Sequence, residues 1–294
     1  MSSWLEQFIP VAVRGRLFIM LASLVSKLKA PKDLLSDDDY ELPCDKKILA
    51  DRVAFDLQPL PGARPRLNLL SGDDNNLSKV RAVILYFHPG GFCIRGKPDD
   101  YLTDIGQRLG AEFLVYSGEY RLAPEHRFPA SHDDADTLLA EIVSRYPKLP
   151  IILGGASAGG HLAGYSASRT TSKNLKGVYL NCPNVTPNRD TPSRLQYATS
   201  RYPTVESLDT FLDCYGEIPD LSIMAPPQCP VLMHAAAEDV LFSDGDGLSW
   251  PNCRKRVFPS ALHDFIHSSK PLCGASYAAA VKEVVEFIQE VITP

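Results

Sequence analysis

Leu149-Pro150-Ile151-Ile152-Leu153-Gly154-Gly155-Ala156-Ser157-Ala158-Gly159 decides the reading of this chain. An apolar run delivers a serine between small residues, the composition of a sharp strand-to-helix turn that pushes a hydroxyl outward. Upstream, His88-Pro89-Gly90-Gly91-Phe92 follows a second strand-like run. A glycine-bearing loop there can aim backbone N–H groups at a developing oxyanion. Each pattern alone arises readily by chance. In this order, each after a strand, they point to acyl-transfer chemistry.

A serine hydroxyl needs a positioned base, usually histidine, that is oriented by a carboxylate. In strand–turn–helix serine sites the chain order is serine, acid, histidine. Asp239 follows the apolar run Val231–Ala236, and His263 follows the run Arg254–Phe258. Glu238, Asp244 and Asp246 are alternative acids and His267 is an alternative base, whereas His234 inside a strand reads as a core histidine. His263-Asp264-Phe265-Ile266-His267 imitates a zinc-protease helix with Asp for Glu, but no third ligand accompanies it, and a metal is not expected. In the upstream loop Pro89 has no N–H to give. The expected oxyanion donors are therefore Gly90 and Gly91, joined by Ala158.

The 294 residues are 45% hydrophobic and 22% charged, the makeup of one globular domain with room for an appended cap. A net charge of −5 gives no electrostatic reason to expect nucleic acid or an anionic membrane as partner. Seven scattered cysteines without CxxC spacing favour free thiols in a reducing, cytoplasmic setting. Asn76-Leu77-Ser78 and Asn184-Val185-Thr186 are glycosylation sequons whose meaning depends on secretion. Leu17–Val25, preceded by Arg14 and Arg16, invites a signal-peptide reading. Glu6, Pro10 and the lack of a small-residue cleavage site oppose it, and the run is too short to span a bilayer. Leu5, Ile9, Val13, Leu17, Leu21, Leu24 and Leu28 recur at helical spacing, with Pro10 dividing the stripe, and are expected to pack on the body.

The expected organisation is N-terminal cap helices and a connector over 1–45, then a core over 46–294 with a cap insertion at about 183–225. Strands are expected near 52–57, 66–71, 80–88, 113–119, 150–155, 176–182, 230–236 and 254–258, with helices over about 133–146, 158–169 and 277–292. The stretch 183–227 reads as irregular, and Gly245, Gly247 and Pro251 oppose a full helix before His263. Alternating strands and helices in the second half imply an α/β fold with a mainly parallel sheet covered on both faces.

With these motifs in place, the chain resembles the hormone-sensitive-lipase-like carboxylesterases of the α/β-hydrolase superfamily. Tyr120-Arg121-Leu122-Ala123-Pro124-Glu125-His126-Arg127-Phe128-Pro129-Ala130 is close to that family's signature stretch. Ala225-Pro226-Pro227, Asp239-Val240-Leu241 and His263-Asp264-Phe265 fall where the family expects them. The resemblance covers roughly 80–290. It implies the α/β-hydrolase fold with a helical cap, a Ser157, Asp239, His263 triad, and oxyanion donors Gly90, Gly91 and Ala158. It implies hydrolysis of a small-molecule carboxylic ester without a cofactor, with Phe92 and Cys93 in the substrate pocket, and leaves open a homodimer through the C-terminal strand and helix. Three departures stand out: Pro89 replaces the first of three glycines, Ala156 replaces Asp or Thr before the serine, and the Asp239–His263 segment is short. Two other fates fit the same residues. The acyl-serine could be loaded from a carrier-bound or CoA thioester and then transferred or cyclised, or the fold could be a silent ligand-binding member. The Arg121–Glu125 stretch reads as a structural charge cluster.

Overall fold

The computed structural model describes residues 43–55 and 64–293, apart from 199, 268 and 269, with 13, 16 and 20 as isolated points. Most of the expected N-terminal helical stripe and connector lies outside the described residues. Val13, assigned to the packed stripe, is helical and 52% exposed.

The centre of the molecule is a seven-stranded sheet in the order β1-β3-β2-β4-β5-β6-β7. Its strands are β1 (Arg66–Ser71), β2 (Ala82–Phe87), β3 (Phe113–Glu119), β4 (Ile151–Ala156), β5 (Leu175–Asn181), β6 (Val231–Ala236) and β7 (Cys253–Phe258). All neighbours pair in parallel except β1, which runs antiparallel to β3. Parallel strands need both faces covered, and the period-2 alternation of β2 meets that need. Val83, Leu85 and Phe87 enter one core, whereas Ala82, Ile84 and Tyr86 enter the other. The first core is closed by α3 (Ala130–Arg145) and α4 (Ala158–Arg169), through Leu138, Ile142, Leu162 and Ala163. The second is closed by α2 (Asp99–Leu109) and α8 (Gly274–Ile292), through Leu102, Ile105, Val281 and Phe287.

Three expectations need correction. The stretch 52–57, expected to be a strand, is helical as far as Phe55 and belongs to α1 (Pro43–Phe55), and 56–57 lie outside the described residues. The reason is one-sided burial at helical spacing, with Ile48 and Arg52 four residues apart and both inside. The stretch 183–227 is not irregular throughout, because it holds α5 (Pro192–Tyr197) and α6 (Val205–Tyr215). Thr204 caps α6 by accepting from the Ser207 N–H, and Leu208 and Leu212 form its buried stripe. Residues 99–109, given no element from sequence, form α2, with Asp99 and Asp100 in its first turn and Gly110 as its stop. Before His263 only a short helix forms, α7 (Phe242–Gly247).

Arg52 ties α1 to the sheet's upper rim. Its side chain is fully buried and pairs with both Glu125 oxygens at 2.7 and 2.9 Å. The same guanidinium donates to the Cys93 carbonyl at 2.7 Å and to the Ala123 carbonyl. Arg121 makes a parallel contact from the signature stretch, gripping Asp134 on α3 at 2.7 Å. Arg52→Met would strand two carbonyls and a carboxylate, a change expected to cost about 3 kcal/mol of stability. Urea unfolding measures it, and a loss under about 0.5 kcal/mol contradicts this role.

Candidate active site

Ser157 sits between β4 and α4 with φ 52° and ψ −118°, a region that non-glycine residues rarely occupy. Backbone bonds hold it there. Its N–H donates to the Asn181 carbonyl at 2.9 Å, and its own carbonyl accepts from His161 at 3.0 Å and Asn184 at 3.3 Å. The turn also needs glycine at its base: a Cβ on Gly159 would lie 2.1 Å from the Phe87 carbonyl oxygen. Helix and strand therefore approach to a distance only a bare backbone permits.

The other groups arrive from the same ends of neighbouring parallel strands. Asp239 follows β6 and His263 follows β7. His263 Nε2 lies 3.0 Å from Ser157 Oγ, and His263 Nδ1 lies 2.8 Å from Asp239 Oδ2. The second Asp239 oxygen accepts from the Leu241 N–H at 2.8 Å, which fixes the carboxylate. All three side chains are buried. Burial pulls the His263 pKa down, but the charge and hydrogen bond of Asp239, with Asp264 and Asp244 behind, outweigh it and leave the pKa above its ordinary value.

The loop after β2 supplies the facing wall. Gly90 has φ +130° and Gly91 φ +59°, and a Cβ on Gly90 would lie 2.0 Å from the Ile94 carbonyl oxygen. The Gly90 carbonyl accepts from Cys93 and Ile94 at 3.0 and 2.9 Å, closing the loop. Among the described residues the N–H groups of Gly90 and Gly91 meet no acceptor. Ala158 is the first residue of α4, where an N–H has no carbonyl one turn behind it. The turn at Pro89 is braced by His88, whose Nδ1 lies 2.7 Å from the Pro89 carbonyl and whose ring stacks on Tyr120 at 4.2 Å. The Tyr120 hydroxyl donates to the His88 carbonyl at 2.8 Å.

Ser157, His263, Gly90, Gly91 and Ala158 all border one cavity of about 320 Å³. Its apolar wall includes Ile94 and, from α6, Leu208, Phe211 and Leu212; its polar rim includes Lys97, Asp100, His267 and Lys270. Phe92 reaches the cavity too, with its ring stacked on Tyr215 at 4.5 Å. Cys93 does not line it. Its thiol is fully buried and turns toward the Phe211 carbonyl, at 3.6 Å, because the closed Gly90–Ile94 turn directs it inward. The α6 contribution escaped the sequence reading, although Leu208, Leu212 and Tyr215 recur at helical spacing behind a Thr204 cap.

The alternatives are otherwise engaged. His267 contacts the Tyr86 hydroxyl at 2.8 Å, and His234 is buried between Glu283, at 3.1 Å, and Tyr179, at 3.3 Å. Glu238 pairs with Arg201, Asp244 pairs with Arg194 at 2.7 Å, and Asp246 is exposed. Ligand atoms of Cys182, Asp239 and His263 lie within 4.8 Å of one another, the arrangement nearest to a metal-binding cluster among the described residues. Burial and then the charge of Asp239 push the Cys182 thiol well above its ordinary pKa. All seven cysteines are free. Among the described residues no helix is long and apolar enough to cross a membrane.

The fold is that of an α/β-hydrolase. A model of the alpha/beta hydrolase fold family matches residues 84–249, and the chain belongs to that family. It is similar to the versiconal hemiacetal acetate esterase of Emericella nidulans, with 32% identity over 169 residues, 52% of this chain and 56% of that protein. It is also similar to tuliposide A-converting enzyme 2 of Tulipa gesneriana, with 35% identity over 156 residues, 47% of this chain and 40% of that protein. The chain thus spans about half the length of these curated relatives or less. Among solved structures, a thermophilic carboxylesterase cloned from a metagenomic library superposes with TM-score 0.64 at 23% identity, covering 81% of this chain and 92% of that one.

Titration of the His263 ring, followed by NMR, is expected to give a pKa above the ordinary value of about 6.5. Asp239→Ala should lower it, since burial then faces less opposing charge. A midpoint that ignores the Asp239 change contradicts the pairing.

Proposed function

We propose that this chain is a serine carboxylesterase that cleaves a small-molecule ester through an acyl-serine intermediate. The observation that carries this reading is the buried Ser157–His263–Asp239 chain at 3.0 and 2.8 Å, bordering the same cavity as Gly90, Gly91 and Ala158.

His263 is the general base. As Ser157 Oγ bonds to the ester carbonyl carbon, the hydroxyl proton passes to His263 Nε2. Asp239 holds Nδ1–H, fixing the tautomer and stabilising the imidazolium. The carbonyl π electrons move to oxygen, and the N–H groups of Gly90, Gly91 and Ala158 receive that charge at the positive end of α4. One such donor contributes about 3 kcal/mol to the transition state. Collapse of the tetrahedral adduct breaks the bond to the alcohol oxygen, which takes the proton back from His263. Water, deprotonated by the same imidazole, then attacks the acyl-serine and releases the acid. The balance needs only ester and water, with no cofactor.

The apolar side chains of Leu208, Phe211 and Leu212 suit a hydrocarbon portion of the substrate, and α5 and α6 act as the cap over the site. Relatives bearing esterase names support the same class of reaction.

Ser157→Ala should reduce turnover of p-nitrophenyl butyrate by at least about ten-thousand-fold without unfolding the protein. Turnover that survives the substitution removes Ser157 from the mechanism. The base must be neutral to act, so protonation of His263 switches off the free enzyme as pH falls. Because its pKa is raised, the acid limb of kcat/KM should lie above about 6.5. A limb below that value contradicts His263 as the base.

A further inference from the structure

Asn184 lines the cavity beside Ser157 and is 7% exposed. Each of its other polar groups has a partner. Its N–H donates to the Ser157 carbonyl at 3.3 Å, its carbonyl lies 2.7 Å from His161 Nδ1, and its Oδ1 accepts from Arg194 at 3.3 Å. A guanidinium only donates, so the Arg194 contact identifies the accepting atom as oxygen and turns Nδ2 away from it. Arg194 is itself buried and clamped by Asp244 at 2.7 Å, which makes the orientation rigid.

The backbone of Asn184 is fixed as firmly. Its carbonyl can only accept, so His161 carries the proton on Nδ1 and offers a lone pair at Nε2. His132 Nε2, 3.0 Å away, must donate to it. His132 Nδ1 is then an acceptor, filled by the Tyr215 hydroxyl at 2.7 Å. This one-way chain requires both imidazoles neutral. Burial keeps them so, lowering His132 to about 2 and His161 to about 4. The last link, Tyr215, closes α6, the helix that walls the cavity.

The side chain therefore has one open polar group. Among the described residues Nδ2 makes no hydrogen bond, and it is not one of the atoms sealed from solvent without a partner. The Asn184-Val185-Thr186 sequon gains a different meaning here, since an amide held in this way is closed to a glycan. We infer that Asn184 Nδ2 is a substrate-binding donor that selects esters carrying a second acceptor oxygen, an ether, hydroxyl or carbonyl, within a few bonds of the scissile group. An ester with a methylene at that point would leave the N–H without a partner and the site dehydrated around it, which a hydrogen-bonding pocket penalises.

This inference rests on the esterase reading, and paired isosteres separate the two. On the acyl side, p-nitrophenyl pentanoate is compared with p-nitrophenyl ethoxyacetate and 3-methoxypropanoate. On the alcohol side, butyl acetate is compared with 2-methoxyethyl acetate. The kcat/KM ratio of oxa ester to methylene ester is measured in wild type, Asn184→Asp and Asn184→Leu. Taking ratios within one preparation removes any loss of folded enzyme, and comparing those ratios between wild type and variants removes the esters' intrinsic reactivity. Asn184→Asp keeps an acceptor for Arg194 and replaces the donor with a carboxylate oxygen, and Asn184→Leu removes the donor without adding charge. In at least one pair the wild-type ratio should exceed that of both variants by about fivefold or more, the value of one hydrogen bond. Ratios unchanged in every pair overturn the role of Asn184 and leave the esterase reading intact. A wild type that hydrolyses none of the esters overturns both.

Discussion

The site depends on how the backbone is held at Ser157. A non-glycine residue with φ 52° and ψ −118° carries a conformational penalty of about 1–3 kcal/mol, and the surrounding structure must overcome it. It does so with three backbone hydrogen bonds, to Asn181, His161 and Asn184, and with the contact of Gly159 against the Phe87 carbonyl. These restraints come from β2, β5 and α4, so the strained turn exists only once the sheet is assembled. Relaxing it would move Oγ away from His263 and the Ala158 N–H away from the facing loop.

The parallel sheet explains why so few residues suffice. Parallel strands end on the same side, and the loops following β2, β4, β5, β6 and β7 meet at one rim. Each contributes a different chemical group: backbone N–H groups, hydroxyl, amide, carboxylate and imidazole. Low solvent access then strengthens every charge interaction among them. It also sets the division of labour between histidines. His263, facing Asp239, is raised, whereas His132 and His161, buried without a carboxylate partner, are lowered and serve as neutral links.

Much of this was legible in the sequence because the strands announce themselves. Phe113–Glu119 and Arg66–Ser71 fall on the observed bounds, and the order of Ser157, Asp239 and His263 follows from where strands end. What escaped has physical reasons. Alternation in 52–57 imitates a strand, and only tertiary burial of Arg52 reveals the helix. The prolines and polar residues of 183–227 hide α6, whose stripe of Leu208, Leu212 and Tyr215 occupies one face of three turns. Cys93 neighbours the glycine loop in sequence, yet the tight turn sends its side chain inward. Asn184 stood out only as part of a sequon, because its neighbours in space, Arg194 and His161, are not its neighbours in the chain.

The most direct test of the central claim is the mass of the protein after reaction with a fluorophosphonate, followed by peptide mapping. An activated serine should take up one adduct per chain, located on Ser157, and His263→Ala should slow the labelling severely. Absence of an adduct, labelling at another residue, or labelling unaffected by the loss of His263 would contradict the account.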